Sequence, residues 1–253
     1  MAPTIPTPVE NLGFRLLKSN PLINRAIRSV YERCMWVFVV TTAWWQYREY
    51  SAVPDPLEPT WVDPQRIDSL ITHGNQPLFG CYVKGGNWDR NTEDLEEYYG
   101  YRSFVQHFDH GIDWEDTEAY AIAEERINED EYRGIWGYTD LNEFERSLEK
   151  TDQLYTDLQE HGYRSQRELA DQNGRIENIG GLPVGIDEVR VAIGRDGEVI
   201  FLDGRHRFFC ARIIELDEIP VRIVVRHADW QAYRDAVFTG EVEDENHPDL
   251  RGL

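Results

Sequence analysis

Between Val189 and Val225 the spacing of apolar residues switches from strand to helix and back to strand, and no other stretch restricts the fold so tightly. Val189-Arg190-Val191-Ala192-Ile193 alternates as a strand does. Arg195-Asp196-Gly197-Glu198 carries the Asp-Gly signal of a hairpin turn, so Val199-Ile200-Phe201-Leu202-Asp203 is the returning strand. That run is apolar on both faces and is therefore expected to be buried. Gly204 allows a sharp exit. Arg205 to Leu216 then has helical spacing, with Phe208, Phe209, Ala211, Arg212, Ile213 and Leu216 following one another. Asp217-Glu218-Ile219-Pro220 closes the helix, and Val221-Arg222-Ile223-Val224-Val225 gives a third strand. The predicted unit is β-β-α-β over 182–227, and the predicted class is α+β.

The chemistry of this unit gathers where strand hands over to helix. Free backbone N–H groups at a helix N-terminus carry partial positive charge and point at any anion placed there. Gly204 lets a phosphate approach the backbone closely, and Arg205 and Arg207 add planar bidentate donors. His206 is suited to donating to a leaving oxygen or shuttling a proton near neutral pH. Asp203 is placed to hold Mg2+ or accept a proton. The plain alternative is a solvated turn whose Asp caps the helix.

Leu202-Asp203-Gly204-Arg205-His206-Arg207, a helix, and then Glu218-Ile219-Pro220-Val221-Arg222-Ile223-Val224 resemble the ParB/sulfiredoxin-like superfamily. The nearest version is the Asp-Gly-His-His-Arg box of ParB-like free-serine kinases. Leu182 to His227 carries the likeness, and Leu154, Tyr155, Leu158, Gly162 and Tyr163 extend it weakly upstream. The resemblance implies a small mixed sheet with helices that binds a nucleotide's phosphates at the box. The sulfiredoxin Cys is replaced by Arg205 and Cys210 falls inside the helix, which removes sulfinic-acid reduction. The partition proteins' Gly-Glu-Arg-Arg is absent and no Arg-rich helix-turn-helix follows, which counts against DNA clamping. The expected activity is Mg2+-dependent phosphotransfer or nucleotide hydrolysis with ATP, ADP or CTP and an unassigned acceptor. A ParB-like nucleic-acid or nuclease protein and a non-catalytic nucleotide sensor are the competing readings.

In the kinase version an acidic residue from the N-terminal part of the fold activates the acceptor hydroxyl, and Asp89 is the candidate here. It ends a second loop with site-like composition, Val83-Lys84-Gly85-Gly86-Asn87-Trp88-Asp89. Lys84 suits phosphate, Gly85 and Gly86 permit close backbone approach, and Trp88 suits stacking on a base. The same residues also describe an ordinary turn beside a packed Trp. Trp114-Glu115-Asp116-Thr117 reads as a capped helix start with a packing Trp, and His107 and His110 have no ligand spacing.

Three further features bound the rest. The net charge is −21, with Lys only at 18, 84 and 150, the composition a haloarchaeal cytoplasm favours; an ordinary acidic protein is the plainer alternative. Such acidity opposes broad nucleic-acid binding. Cys34, Cys81 and Cys210 show no zinc spacing, and the N-terminus lacks a signal-peptide pattern, so a reduced cytoplasmic setting is expected. Residues 1–50 carry +3 against −24 for the remainder. Ser19-Asn20-Pro21 starts a helix there, and Met35 to Val40 is apolar on every side, to be covered by protein or by a membrane surface. The expected organisation is a basic, aromatic helical segment over 1–53, a ParB-like domain over 54–240 with a helical insertion near 91–170, and a frayed acidic tail over 241–253. Pro54, Pro56 and Pro59 stiffen the first junction.

Overall fold

The computed structural model describes residues 21–71, 80–128, 135–173, 187–244 and 246–253, without the side chains of 21–33, 128 and 170–173. The expected helix start at Ser19-Asn20, the beginning of the Leu78–Val83 run, and the Gly180–Leu182 segment lie outside them. The class is α+β: seven helices and a mixed sheet of seven strands among the described residues. The helices are α1 (Pro21–Tyr47), α2 (Tyr99–Phe108), α3 (Glu118–Asn128), α4 (Leu141–His161), α5 (Gln166–Asn173), α6 (Arg205–Ile213) and α7 (Ala228–Phe238). The strands are β1 (Thr60–Val62), β2 (Ser69–Leu70), β3 (Tyr82–Lys84), β4 (Glu93–Asp94), β5 (Val189–Ile193), β6 (Val199–Asp203) and β7 (Ile219–His227).

The hairpin β5–β6 is the middle of the sheet. Its Asp196-Gly197 turn puts Gly197 at φ +90°, with the Trp230 ring so close that a Cβ would lie 2.6 Å from it. Helix α6 then crosses over and β7 enters parallel to β5, giving the order β1-β7-β5-β6-β2-β4. Two short strands share the outer edge of β7. Antiparallel β1 takes Ile219–Val221, and parallel β3 takes Val225–His227.

Alternation decides what each face meets. Val191, Ile193, Val199 and Phe201 join the main core with Phe208 and Phe209 of α6, Phe104 of α2, and Phe144 and Leu148 of α4. Ala192, Ile200 and Val225 face the other way, toward Tyr82 and Trp88. Each fully buried Phe contributes about 1.5–3 kcal/mol of transfer free energy. Helices α2 and α4 therefore roof one face of the sheet, directly over α6.

Three expectations change. Helix α6 stops at Ile213, because Glu215 adopts φ +59° and Leu216 N–H reaches back to Ala211 O at 3.1 Å, closing the helix without the usual glycine. The third strand starts at Ile219 and includes Pro220, whose missing donor is tolerated at its second residue. The tail is anchored rather than frayed: Asp249 accepts from Arg226 at 2.8 and 2.5 Å and from Trp230 Nε1 at 2.9 Å, and Leu250 is buried. Among the described residues no helix is long and apolar enough to cross a membrane.

Candidate functional site

The Asp203–Arg207 turn sits at the end of β6, where α6 begins. Gly204 is the N-cap at φ +95°, ψ 31°, and no side chain caps the helix. A Cβ on Gly204 would lie 3.0 Å from the Val189 Cα, so glycine is needed for its torsion and for its closeness to β5. Residues Asp203, Gly204, Arg205, His206 and Arg207 line a recess of about 230 Å³. The first-turn N–H groups of α6 open toward it, as helix geometry requires.

The side chains around the recess are held from behind. Asp203 forms an ion pair with Arg190 of β5 and accepts its own neighbour's N–H, from Gly204, at 2.8 Å. It is the partly exposed member of that pair, with 29% of its side chain accessible against 12% for Arg190. Arg207 donates to the Asp187 carbonyl at 2.6 Å and stands 3.5 Å from the Glu188 carboxylate. Glu188 is buried, accepts from Gln166 N–H at 2.6 Å and from the Tyr163 hydroxyl at 3.3 Å, and burial pushes its pKa up to about 7. Arg205 extends over the Trp136 ring at 5.3 Å.

His206 is half-buried between aromatic rings, with Phe104 and Trp136 centroids at 5.9 and 6.0 Å. Its Nδ1 lies 3.4 Å from the Thr151 hydroxyl of α4. Burial, and then the positive charges of Arg205 and Arg207, hold its pKa down to about 4. In the free protein the ring is thus neutral at pH 7, with the Thr151 hydroxyl as its hydrogen-bonding neighbour. Cys210, one turn further on, is fully buried and burial pushes its thiol well up, so it offers no thiolate.

The second loop is elsewhere. Lys84 pairs in register with His227, and Ile193 with Arg226, at the end of the sheet where β5 turns into β6. Asp203 pairs with Arg190 at the opposite end. A five-residue strand, about 17 Å long, therefore separates the loop from the box. Asp89 is buried and bound by Arg195, through Nε at 2.7 Å, Nη2 at 2.7 Å and the backbone N–H at 3.0 Å. These bonds, led by the Arg195 side chain, depress its pKa to about 2. Asp89 fastens the hairpin turn and does not reach the recess. Gly86 contributes its carbonyl to Arg195 Nη2 at 2.7 Å and to the His227 ring at 2.9 Å. Trp88 donates from Nε1 to the Lys84 carbonyl at 3.2 Å, and Gly85 is exposed. These four residues shape the loop around Arg195 and His227, away from the box.

Trp114 is buried as expected, donates to Asp152 at 2.9 Å and stacks on His107 at 4.1 Å. Glu188, Arg190, Tyr163 and Trp136 complete the surroundings of the box; Tyr163 belongs to the upstream extension of the resemblance and Arg190 has the period-2 position opposite Asp203, whereas Glu188 and Trp136 carry no local signal. Among the described residues no group of three or more His, Cys, Asp and Glu is arranged to hold a metal ion. Comparison with protein-family models, with curated proteins and with solved structures finds no match for this chain.

Proposed function

We propose that the protein binds a nucleotide through its phosphates at the Asp203–Arg207 turn and acts as a Mg2+-dependent phosphotransferase or nucleotide hydrolase of the ParB-like kind. The observation that carries this reading is the uncapped N-terminus of α6 opening on a recess lined by Asp203, Gly204, Arg205, His206 and Arg207. Backbone N–H groups and two guanidiniums there favour an anion with several oxygens, and the close Gly204–Val189 approach keeps the backbone rigid enough to position it. Among the described residues that line the recess Asp203 is the one carboxylate, so it would hold Mg2+ only together with the nucleotide's own phosphate oxygens. When bound, it would neutralise charge building on the transferred phosphoryl group. Asp203 would first have to exchange part of its bond with Arg190. His206, neutral in the free protein, hydrogen-bonds a phosphate or leaving oxygen, and its proton affinity rises when a phosphate is seated beside it. Acceptor activation is not assigned to Asp89, and the acceptor is either water or a hydroxyl.

A thermal-shift and phosphate-release panel with ATP, ADP and CTP, each with Mg2+ and in high salt, tests the reading. Wild type should be stabilised by one nucleotide. Asp203→Ala and Asp203→Asn should lose that shift, and His206→Gln should lose turnover while retaining binding. No shift with any of the three nucleotides in wild type would end the proposal.

A further inference from the structure

Helix α1 has two apolar sides, and only one of them is covered. Val39, Ala43 and Tyr47 are buried, the last two against Cys81 and Val83 at the edge of the sheet. At 100° per residue, Val37 and Phe38, the flanking Val40, and Trp44 and Trp45 lie outside that buried line, all but Val40 by about 100° or more. They are exposed by 61, 41, 43, 70 and 59% respectively. No Asp, Glu, Lys or Arg occurs between Arg33 and Arg48, in a chain where 29% of residues are charged.

The hydroxyls on this stretch turn inward. Thr41 Oγ1 donates to the Val37 carbonyl at 2.6 Å, and Thr42 Oγ1 to the Phe38 carbonyl at 2.7 Å. Each satisfies itself on its own helix, so neither needs water. Arg48 lies over the Trp45 ring at 4.1 Å, placing a cation at the end of the apolar stripe. A contiguous exposed stripe of this kind marks an interaction surface.

Charge identifies the occupant. Segment 1–50 carries +3 and the remainder −24. An anionic surface attracts the α1 end and repels the rest, which fixes the orientation of the molecule. A second copy seated on α1 would instead bring two strongly acidic bodies together. Adjacent indoles with a flanking Arg suit the boundary between headgroups and acyl chains. The helix has no window apolar enough to cross a bilayer, so it lies along the surface. We infer that α1 docks this protein on an anionic lipid surface, with Val37, Phe38, Val40, Trp44 and Trp45 immersed at the headgroup boundary.

The test is flotation of the full chain with vesicles of phosphatidylcholine alone, or of phosphatidylcholine with phosphatidylglycerol. An environment-sensitive dye on Cys34 adds a direct reading, since Cys34 is exposed while Cys81 and Cys210 are buried. Wild type should float with the phosphatidylglycerol vesicles and the dye should shift to the blue. Trp44→Ser/Trp45→Ser and Val40→Asp sit at exposed positions and should keep the wild-type circular dichroism and melting profile. Their partitioning should fall by about tenfold or more. Wild type that stays behind with both vesicle types, or variants that float equally well, would overturn the inference. So would a concentration-dependent dimer in sedimentation velocity that the double variant abolishes, because the stripe would then belong to a second copy.

Discussion

Replacing Gly204 by Ala adds one methyl group at the strand–helix junction, and two separable penalties follow. The first is torsional. Gly204 has φ +95°, and a left-handed backbone is disfavoured for an L residue by about 1–2 kcal/mol. The second is steric: the new Cβ would stand 3.0 Å from the Val189 Cα and 3.4 Å from its Cγ2. The nearer atom belongs to the backbone of β5 and cannot rotate away, so the strand must shift; overpacking of this sort costs about 1–3 kcal/mol. Together they amount to about 2–5 kcal/mol, or a fall in Tm of about 5–15 °C for a domain of this size. Gly240→Ala is the matched control, because Gly240 has φ +78° with nothing within 4 Å of its would-be Cβ. It should show the torsional part alone. Urea and thermal unfolding of the three proteins measure both parts. If Gly204→Ala were no less stable than Gly240→Ala, the close approach to β5 would be refuted, and with it the reason for a rigid recess.

Asp249→Ala leaves Arg226 and Arg234 buried without their shared carboxylate and should lose about 3–5 kcal/mol in chemical denaturation, whereas a loss under about 1 kcal/mol would show the tail to be dispensable. Glu188 and His206 make opposing contributions to pH dependence. The Glu188 carboxyl, at about 7 when folded against its ordinary 4.5, loses stability as pH rises through that interval. His206, at about 4 against 6.5, loses stability as pH falls from 6.5 toward 4. Glu188→Gln should therefore unmask a steeper acid loss between pH 6.5 and 4, of about 3 kcal/mol at most, and a profile unchanged from wild type would contradict this assignment. In the free protein the His206 ring should titrate near 4 by NMR. It should titrate higher once a nucleotide phosphate occupies the recess, and a resonance indifferent to nucleotide would place the phosphate elsewhere.

What could be read from the sequence was whatever depends on neighbours along the chain. The β5–β6 hairpin, α6 and the start of the box were legible because Asp196-Gly197 and the shift from period 2 to helical spacing are local signals. The C-terminal end of α6 was not, since Glu215 occupies a position where glycine normally announces the turn. Asp89 was misplaced for a related reason. Gly, Trp and Asp in a loop describe equally a ligand site and a carboxylate that clasps a hairpin, and only the distant Arg195 decides between them. The tail looked unstructured because its anchors, Arg226 and Arg234, lie in β7 and α7 rather than beside it. The environment of His206 depends on rings at positions 104 and 136, which composition cannot bring together.

The sharing of β7's outer edge by β1 and β3 governs the order in which the chain can mature. The hairpin, α6 and β7 are neighbours in sequence and can associate with little loss of chain entropy. Strands β1 and β3 have no template until β7 exists. The linker is tied down even later, since Arg222 bonds the Pro56 carbonyl across 166 residues and Ala52 bonds Asp235 across 183. During synthesis α1, β1 and β3, aromatic stripe included, must therefore wait for nearly the last segment to emerge. For most of that time the apolar side of α1 that finally rests on β3 is as uncovered as the side that stays exposed, and the nascent chain relies on its surroundings to keep both from aggregating.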